Sequence, residues 1–187
     1  MGTKVALLFL RVTLERMTNR IIVVLLLCAT AVAQQKAGRA SPHDKTSVTM
    51  GGKDITIEYG RPYLKGRSVG KEVAPYGEVW RTGADEATKL TTPVNLKIGT
   101  LAVPAGSYSL YTLPTEKAWR LIVNKTADQW GTVYEQDKDL GRVDMKLEKA
   151  AAPVEQLTIS FDKASEKNAT LKIAWGTTVV SVPVVVQ

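Results

Sequence analysis

Residues 155–162 read E-Q-L-T-I-S-F-D, and they decide the fold class. Leu157, Ile159 and Phe161 alternate with polar neighbours. That is the two-residue period of a strand with one face on a core and the other in water. Leu171, Ile173 and Trp175 resume the period after a polar break, and V-V-S-V-P-V-V-V at 179–186 closes the chain. Toward the N-terminus, Val143, Met145 and Leu147 alternate within 142–147, and 118–124 is rich in Trp, Leu, Ile and Val. Tyr108, Leu110 and Thr112 share one face of a strand at 107–113 that follows the turn V-P-A-G at 103–106. Residues 89–92 and 94–98 are two short strands separated by Pro93. Ile55, Ile57 and Tyr59 form a further half-buried strand, with 47–50 as its hairpin partner across Gly51-Gly52. Residues 125–140 are the one long polar connection. No window of eleven or more residues keeps a helical stripe. Short strands with turn signals between them predict an all-β fold, an antiparallel β-sandwich, with a jelly roll or a partly closed barrel as alternatives.

The remaining segments concern export. Met17-Thr18-Asn19-Arg20 precedes an apolar run from Ile21 to Leu27, and Ala31-Val32-Ala33 supplies a small-x-small cleavage pattern before Gln34. This predicts a secretory signal peptide over 1–33 that starts at Met17, residues 1–16 being either upstream of the start or an extended basic region. The apolar run is too short to span a bilayer, which needs about 20 residues. Leu27 is too large to precede a lipidated cysteine, so Cys28 is removed with the signal. The mature chain then has no cysteine and must be held by its core alone. Localisation follows as periplasmic or extracellular. Residues 34–45 are polar and aperiodic and predict a flexible lead-in, leaving 46–187 as a single domain. Of 25 basic and 18 acidic residues, Lys4, Arg11, Arg16, Arg20 and Glu15 fall before Gln34. The mature chain is therefore mildly basic with dispersed charge, which gives no nucleic-acid footprint and no membrane span.

One stretch departs from strand periodicity. Residues 60–88, G-R-P-Y-L-K-G-R-S-V-G-K-E-V-A-P-Y-G-E-V-W-R-T-G-A-D-E-A-T, gather Arg61, Arg67 and Arg81 with Glu78, Asp85, Glu86, Tyr76 and Trp80. Arginine forks suit carboxylates or phosphates, and Trp80 or Tyr76 suits stacking on a sugar or ring. The same charges can instead pin a long loop by their own ion pairs. Strand alternation sends Trp80 and Arg81 to opposite faces, and Asp85 and Glu86 likewise.

Catalytic chemistry has little to work with. His43 is the only histidine and falls in the lead-in, where nothing holds it against a hydroxyl. Gly106-Ser107-Tyr108-Ser109 lacks the second glycine of a nucleophile elbow. With one histidine and no mature cysteine, no transition-metal site is expected. Asp137-Lys138-Asp139-Leu140-Gly141 lacks the remaining ligands of a calcium loop. No cofactor and no catalytic residue are assigned. The leading expectation is a non-catalytic binding or interaction module of the envelope, with a glycan, peptidoglycan fragment or peptide as ligand. A glycoside hydrolase using two of Glu78, Asp85 and Glu86 is the alternative from another class, and a purely structural envelope domain is the third.

The run P-Y-G-E-V-W-R-T-G-A-D-E-A-T at 75–88, preceded by Y-G-R-P and K-G-R, resembles a secreted bacterial family known as domain of unknown function 2911. P-A-G-S-Y-S-L-Y-T-L-P, W-R-L-I-V-N-K, W-G, Y-E, D-L-G-R-V and W-G-T-T-V-V-S-V-P follow in order, so the resemblance covers the chain from Ser41 on. It implies an all-β, exported protein and brings no established activity. The family commonly shows Asn where this chain has Asp85. A carboxylate accepts hydrogen bonds without donating, so no donor role carries over to position 85.

Overall fold

The computed structural model describes residues 41–162 and 164–187. The signal segment at 1–33, with Cys28, lies outside the described residues, as does the lead-in up to Ala40. The described chain is all-β. Strands β1 (His43–Met50), β2 (Lys53–Gly60), β3 (Thr88–Thr92), β4 (Leu96–Ile98), β5 (Leu101–Val103), β6 (Gly106–Pro114), β7 (Trp119–Asn124), β8 (Asp139–Asp162) and β9 (Asn168–Val186) are joined by one short 3-10 turn and loops. They form one antiparallel sheet in the order β1-β2-β3-β6-β7-β8-β9-β4-β5, not closed into a barrel. No helix among the described residues is long and apolar enough to cross a membrane.

The sheet folds over on itself through β8. Its first residues pair with β7 from Asp139 to Met145, and its later residues pair with β9 from Lys146 to Asp162. Two layers result, and one core lies between them. Ile55, Ile57, Leu90, Leu110 and Leu121 from the first layer join Leu157, Ile159, Leu171, Ile173 and Val182 from the second in a single apolar cluster. Burying each such side chain contributes about 1.5–3 kcal/mol. Tyr59 fastens the layers directly. Its hydroxyl donates to Ile159 O at 3.4 Å and accepts from Ile159 N at 3.0 Å. Burial pushes its phenol up from the ordinary value. A smaller cluster of Ala87, Tyr111 and Ile122 on the opposite face of β6 and β7 lies under Tyr134.

Two features differ from the sequence reading. β8 and β9 are single long strands where alternation suggested two strands each. Register shifts after Lys149 and after Val154 interrupt the period without ending the pairing. β1 also begins at His43, earlier than the predicted domain boundary. Gly51 and Gly52 take left-handed φ of 59° and 69°, the two-residue turn that pairs Met50 with Lys53. Counting outward from that turn places His43 opposite Gly60.

Candidate functional site

The 60–88 stretch is an ordered loop laid across both layers. After Gly60 it runs along β8: Leu157 N donates to Pro62 O at 3.0 Å, and Leu64 N to Glu155 O at 2.9 Å. Arg61 is consumed in this junction, donating to Leu157 O, Asp44 Oδ2 and Thr158 Oγ1 at 2.9–3.0 Å. Arg67 caps its own turn, with Nε on Leu64 O and a terminal amine on Tyr63 O. The Tyr76 ring packs against Gly70, where a Cβ would stand 2.2 Å from a ring carbon, and the residue is otherwise exposed. Glu72 accepts from Ser68 N, which holds its carboxyl below the usual range. Glu78 stands exposed in the next turn.

Trp80 then pairs with Thr112, N to O at 2.8 Å and back at 2.9 Å. Its ring stacks on Trp175 at 5.5 Å between centroids and meets Trp119 edge-on at 6.4 Å. It closes one end of the core with protein partners on two sides. Arg81 takes the opposite face, as alternation requires. Its stem lies on Gly131, where a Cβ would be 2.6 Å from Arg81 Cδ, and its Nε donates to Gly83 O at 3.1 Å.

The chain next turns sharply. Thr82 and Asp85 both hold left-handed φ, 56° and 64°, and the other two non-glycine residues with positive φ among the described residues, Lys65 and Ala74, lie in the same loop. Such backbone costs about 1–3 kcal/mol per residue and persists only where its surroundings impose it. For β-branched Thr82 they do. It is wholly buried, its hydroxyl reaches Trp80 O and Thr112 Oγ1, and its carbonyl accepts from Thr88 Oγ1 at 2.9 Å. The turn sets Ala84 on Gly60, whose added Cβ would stand 2.2 Å from Ala84 O.

The left-handed residue at 85 overturns the expectation that Asp85 and Glu86 face apart. Both carboxylates converge on one imidazole nitrogen, with His43 Nε2 3.3 Å from Asp85 Oδ2 and 3.2 Å from Glu86 Oε2. His43 is therefore ordered at the site, contrary to its reading as a lead-in residue with nothing to hold it. Hairpin register, carried outward past residue 47, is the signal that would have located it, since His43 pairs with Gly60 at the head of the loop.

Trp130 completes the group and was missed, because it lies in the polar 125–140 connection. Glu86 and Trp130 are bridge partners. Ala87 N donates to Gln129 O and Gly131 N to Asp85 O, which flank Glu86 and Trp130 as a non-hydrogen-bonded antiparallel pair. In such pairs the side chains share a face and stand closest. Trp130 is 50% exposed, the Glu86 side chain 41% and the His43 side chain 29%. A half-exposed tryptophan thus shares a face with Glu86, whose carboxylate reaches the His43 imidazole. The connection carrying Trp130 is anchored behind by Asp139, which accepts from Tyr134 OH at 2.7 Å, from Arg142 at 2.9 Å and from Asn124 at 2.9 Å. Burial, then the Asp139 contact, pushes the Tyr134 phenol up to about 12.

Of the residues expected at a site, Asp85 and Glu86 come together on His43, while Arg81 lies on Gly131 and donates to Gly83 O. Arg61, Arg67 and Trp80 are engaged with the scaffold, and Tyr76 and Glu78 stand elsewhere on the loop. Among the described residues no group of three or more His, Cys, Asp or Glu is placed to hold a metal.

Fold and loop together define an all-β domain carrying one long, strained, buttressed loop. The chain belongs to the family of proteins of unknown function DUF2911, whose model matches residues 41–184. No curated protein and no solved structure matches the chain.

Proposed function

We propose that this protein is an exported, non-catalytic glycan-binding domain of the bacterial envelope. The observation that carries this reading is the Glu86–Trp130 pair. A flat, half-exposed indole beside a carboxylate and an imidazole offers a stacking platform for a sugar ring with acceptors and a donor for its hydroxyls. Peptidoglycan strands and related polysaccharides are the ligands such an open surface suits. Export is read from residues 17–33, so the mature chain starts at Gln34 in the periplasm or beyond.

Recognition is favoured over hydrolysis by the carboxylates themselves. Glycosidases hold two carboxyls across a cleft, about 5–5.5 Å or 6.5–9.5 Å apart, with different environments for acid and nucleophile or base. Asp85 and Glu86 instead converge on one nitrogen.

Calorimetric titration of the mature chain with soluble peptidoglycan fragments and neutral oligosaccharides tests the reading. Binding is expected, with Trp130→Ala at least about tenfold weaker and no product released. No binding to any glycan, or equal affinity in the variant, overturns it. Binding to unglycosylated stem peptide alone transfers the site to a peptide ligand.

A further inference from the structure

Two asparagines head the acceptor pattern for N-linked glycosylation, N-K-T at 124–126 and N-A-T at 168–170. The fold gives them opposite surroundings. Asn124 sits in β7 with 1% of its surface exposed. Its amide nitrogen donates to Glu135 O and to Asp139 Oδ1, both at 2.9 Å, so both of its N–H bonds are in use. Its side-chain oxygen accepts from Thr126 N at 3.0 Å. A sugar on that nitrogen would cost one of those bonds and displace the residues that enclose it.

Asn168 is the reverse case. It opens β9 at the tip of the β8–β9 hairpin and ends an exposed run from Ala164. Alternation along the strand turns Ala169 and Leu171 inward, both buried, and Asn168 outward. The tip is held by main-chain bonds. Ser165 N donates to Asn168 O at 2.7 Å, Gly51 N to Glu166 O at 2.7 Å and Val186 N to Lys167 O at 2.9 Å. The Asn168 side chain takes no part in them, so a substituent there disturbs neither turn nor sheet. Asp162 opposite Thr170 is the last rung of the ladder. End rungs open at little cost, which lets residues 168–170 reach an enzyme as an extended segment. Glu166 is exposed two residues ahead, so E-K-N-A-T flanks the acceptor amide with a carboxylate and a hydroxyl.

We propose that Asn168 is an N-glycosylation site. The reaction joins Asn168 Nδ2 to the anomeric carbon of an oligosaccharide carried on a lipid pyrophosphate. The bond from that carbon to the pyrophosphate oxygen breaks, and the lipid pyrophosphate leaves with the electron pair. The proton lost from the amide passes to a basic group of the transferase. The inference rests on export, because transferase and donor act outside the cytoplasm, and is independent of the Trp130 surface.

The test is to express the full precursor in a bacterium that makes a lipid-linked oligosaccharide and its asparagine transferase. The chain recovered from the periplasm is then weighed intact. A mass increase of one oligosaccharide is expected, on the peptide that contains Asn168. Asn168→Gln and Thr170→Ala should both lose it, and Thr170→Ser should keep it. Thr126→Ala removes the other acceptor pattern without touching Asn124 and should leave the increase in place. If the precursor stays in the cytoplasm, the export reading fails by itself. The site is then tested by incubating the purified chain with membranes that carry transferase and donor, where the same increase is expected. An unmodified chain from the periplasm or from those membranes, an increase located to Asn124, or one that survives Asn168→Gln overturns the proposal.

Discussion

His43 and Asp85, 42 positions apart, meet at 3.3 Å, so the first residue of the first strand is held by a residue in left-handed backbone. Exposed pairs of this kind contribute little by themselves, about 0.2–1 kcal/mol. The larger quantity is the backbone at 85. Asp85→Asn keeps a side chain that tolerates left-handed φ and should change stability by under about 0.5 kcal/mol. Asp85→Val places a β-branched residue there and should lose about 1–3 kcal/mol. Urea unfolding of both variants compares them, and equal losses would remove the role assigned to the backbone.

Trp80 supplies the second expectation. Its ring lies between Trp175 and Trp119, so Trp80→Ala should cost about 3–5 kcal/mol and flatten the near-ultraviolet circular dichroism of the coupled indoles. A loss below about 1 kcal/mol would mean the ring is free enough to serve a ligand instead.

Two glycines separate crowding from conformation. Gly60→Ala drives a methyl to 2.2 Å from Ala84 O, a backbone atom that cannot swing aside. It should cost about 1–3 kcal/mol or more and loosen the loop from β2, read as faster amide exchange at 82–86. Gly66 has φ 78° and nothing within 4 Å, so Gly66→Ala should cost only about 1–2 kcal/mol of local strain. Equal exchange in the two variants would contradict the close approach.

Tyr134 sets an alkaline limit. Its folded phenol is raised to about 12 from 10.0, first by burial and then by the hydrogen bond to Asp139. The neutral form is the one favoured by folding. Its stabilisation is therefore complete below pH 10 and is lost as pH rises from 10 toward 12. Tyr134→Phe should cost about 1.5–3 kcal/mol at neutral pH, with the difference from wild type shrinking across that window. An absorbance titration should show the latest-ionising phenol missing from the variant. A constant stability difference through pH 12 would show that Tyr134 does not carry the effect.

Period-two alternation made the fold class readable, because Ile55, Leu110, Leu157 and Ile173 each announce a core face. It could not show β8 as one strand, since Ala150 to Pro153 break the period while the ladder continues. The site was half readable. The sequence marked 60–88 as exceptional, yet alternation misjudged Asp85 and Glu86, because one positive φ swings both carboxylates onto His43. Trp130 carried no local signal, for it joins the group only through a bridge to Glu86. The arginines were legible as residue types but not as roles, because each donates to a backbone carbonyl, a partner that leaves no trace in a sequence, and Arg61 adds Asp44 and Thr158 from distant strands.

The strand order has a consequence in time. β4 and its edge partner β5 join the rest of the sheet only when Leu96, Lys97 and Ile98 pair with Val186, Val185 and Val184. The hinge strand β8 likewise needs both β7 and β9 in place. Such distant pairings must close large loops before any contact rewards them, which puts all-β domains of this kind in the millisecond-to-second range of folding. A chain emerging slowly, N-terminus first, would hold one layer with its apolar face bare until the last strand arrived. During that interval the protein depends on whatever shields it, and slower emergence should lower the yield of native protein.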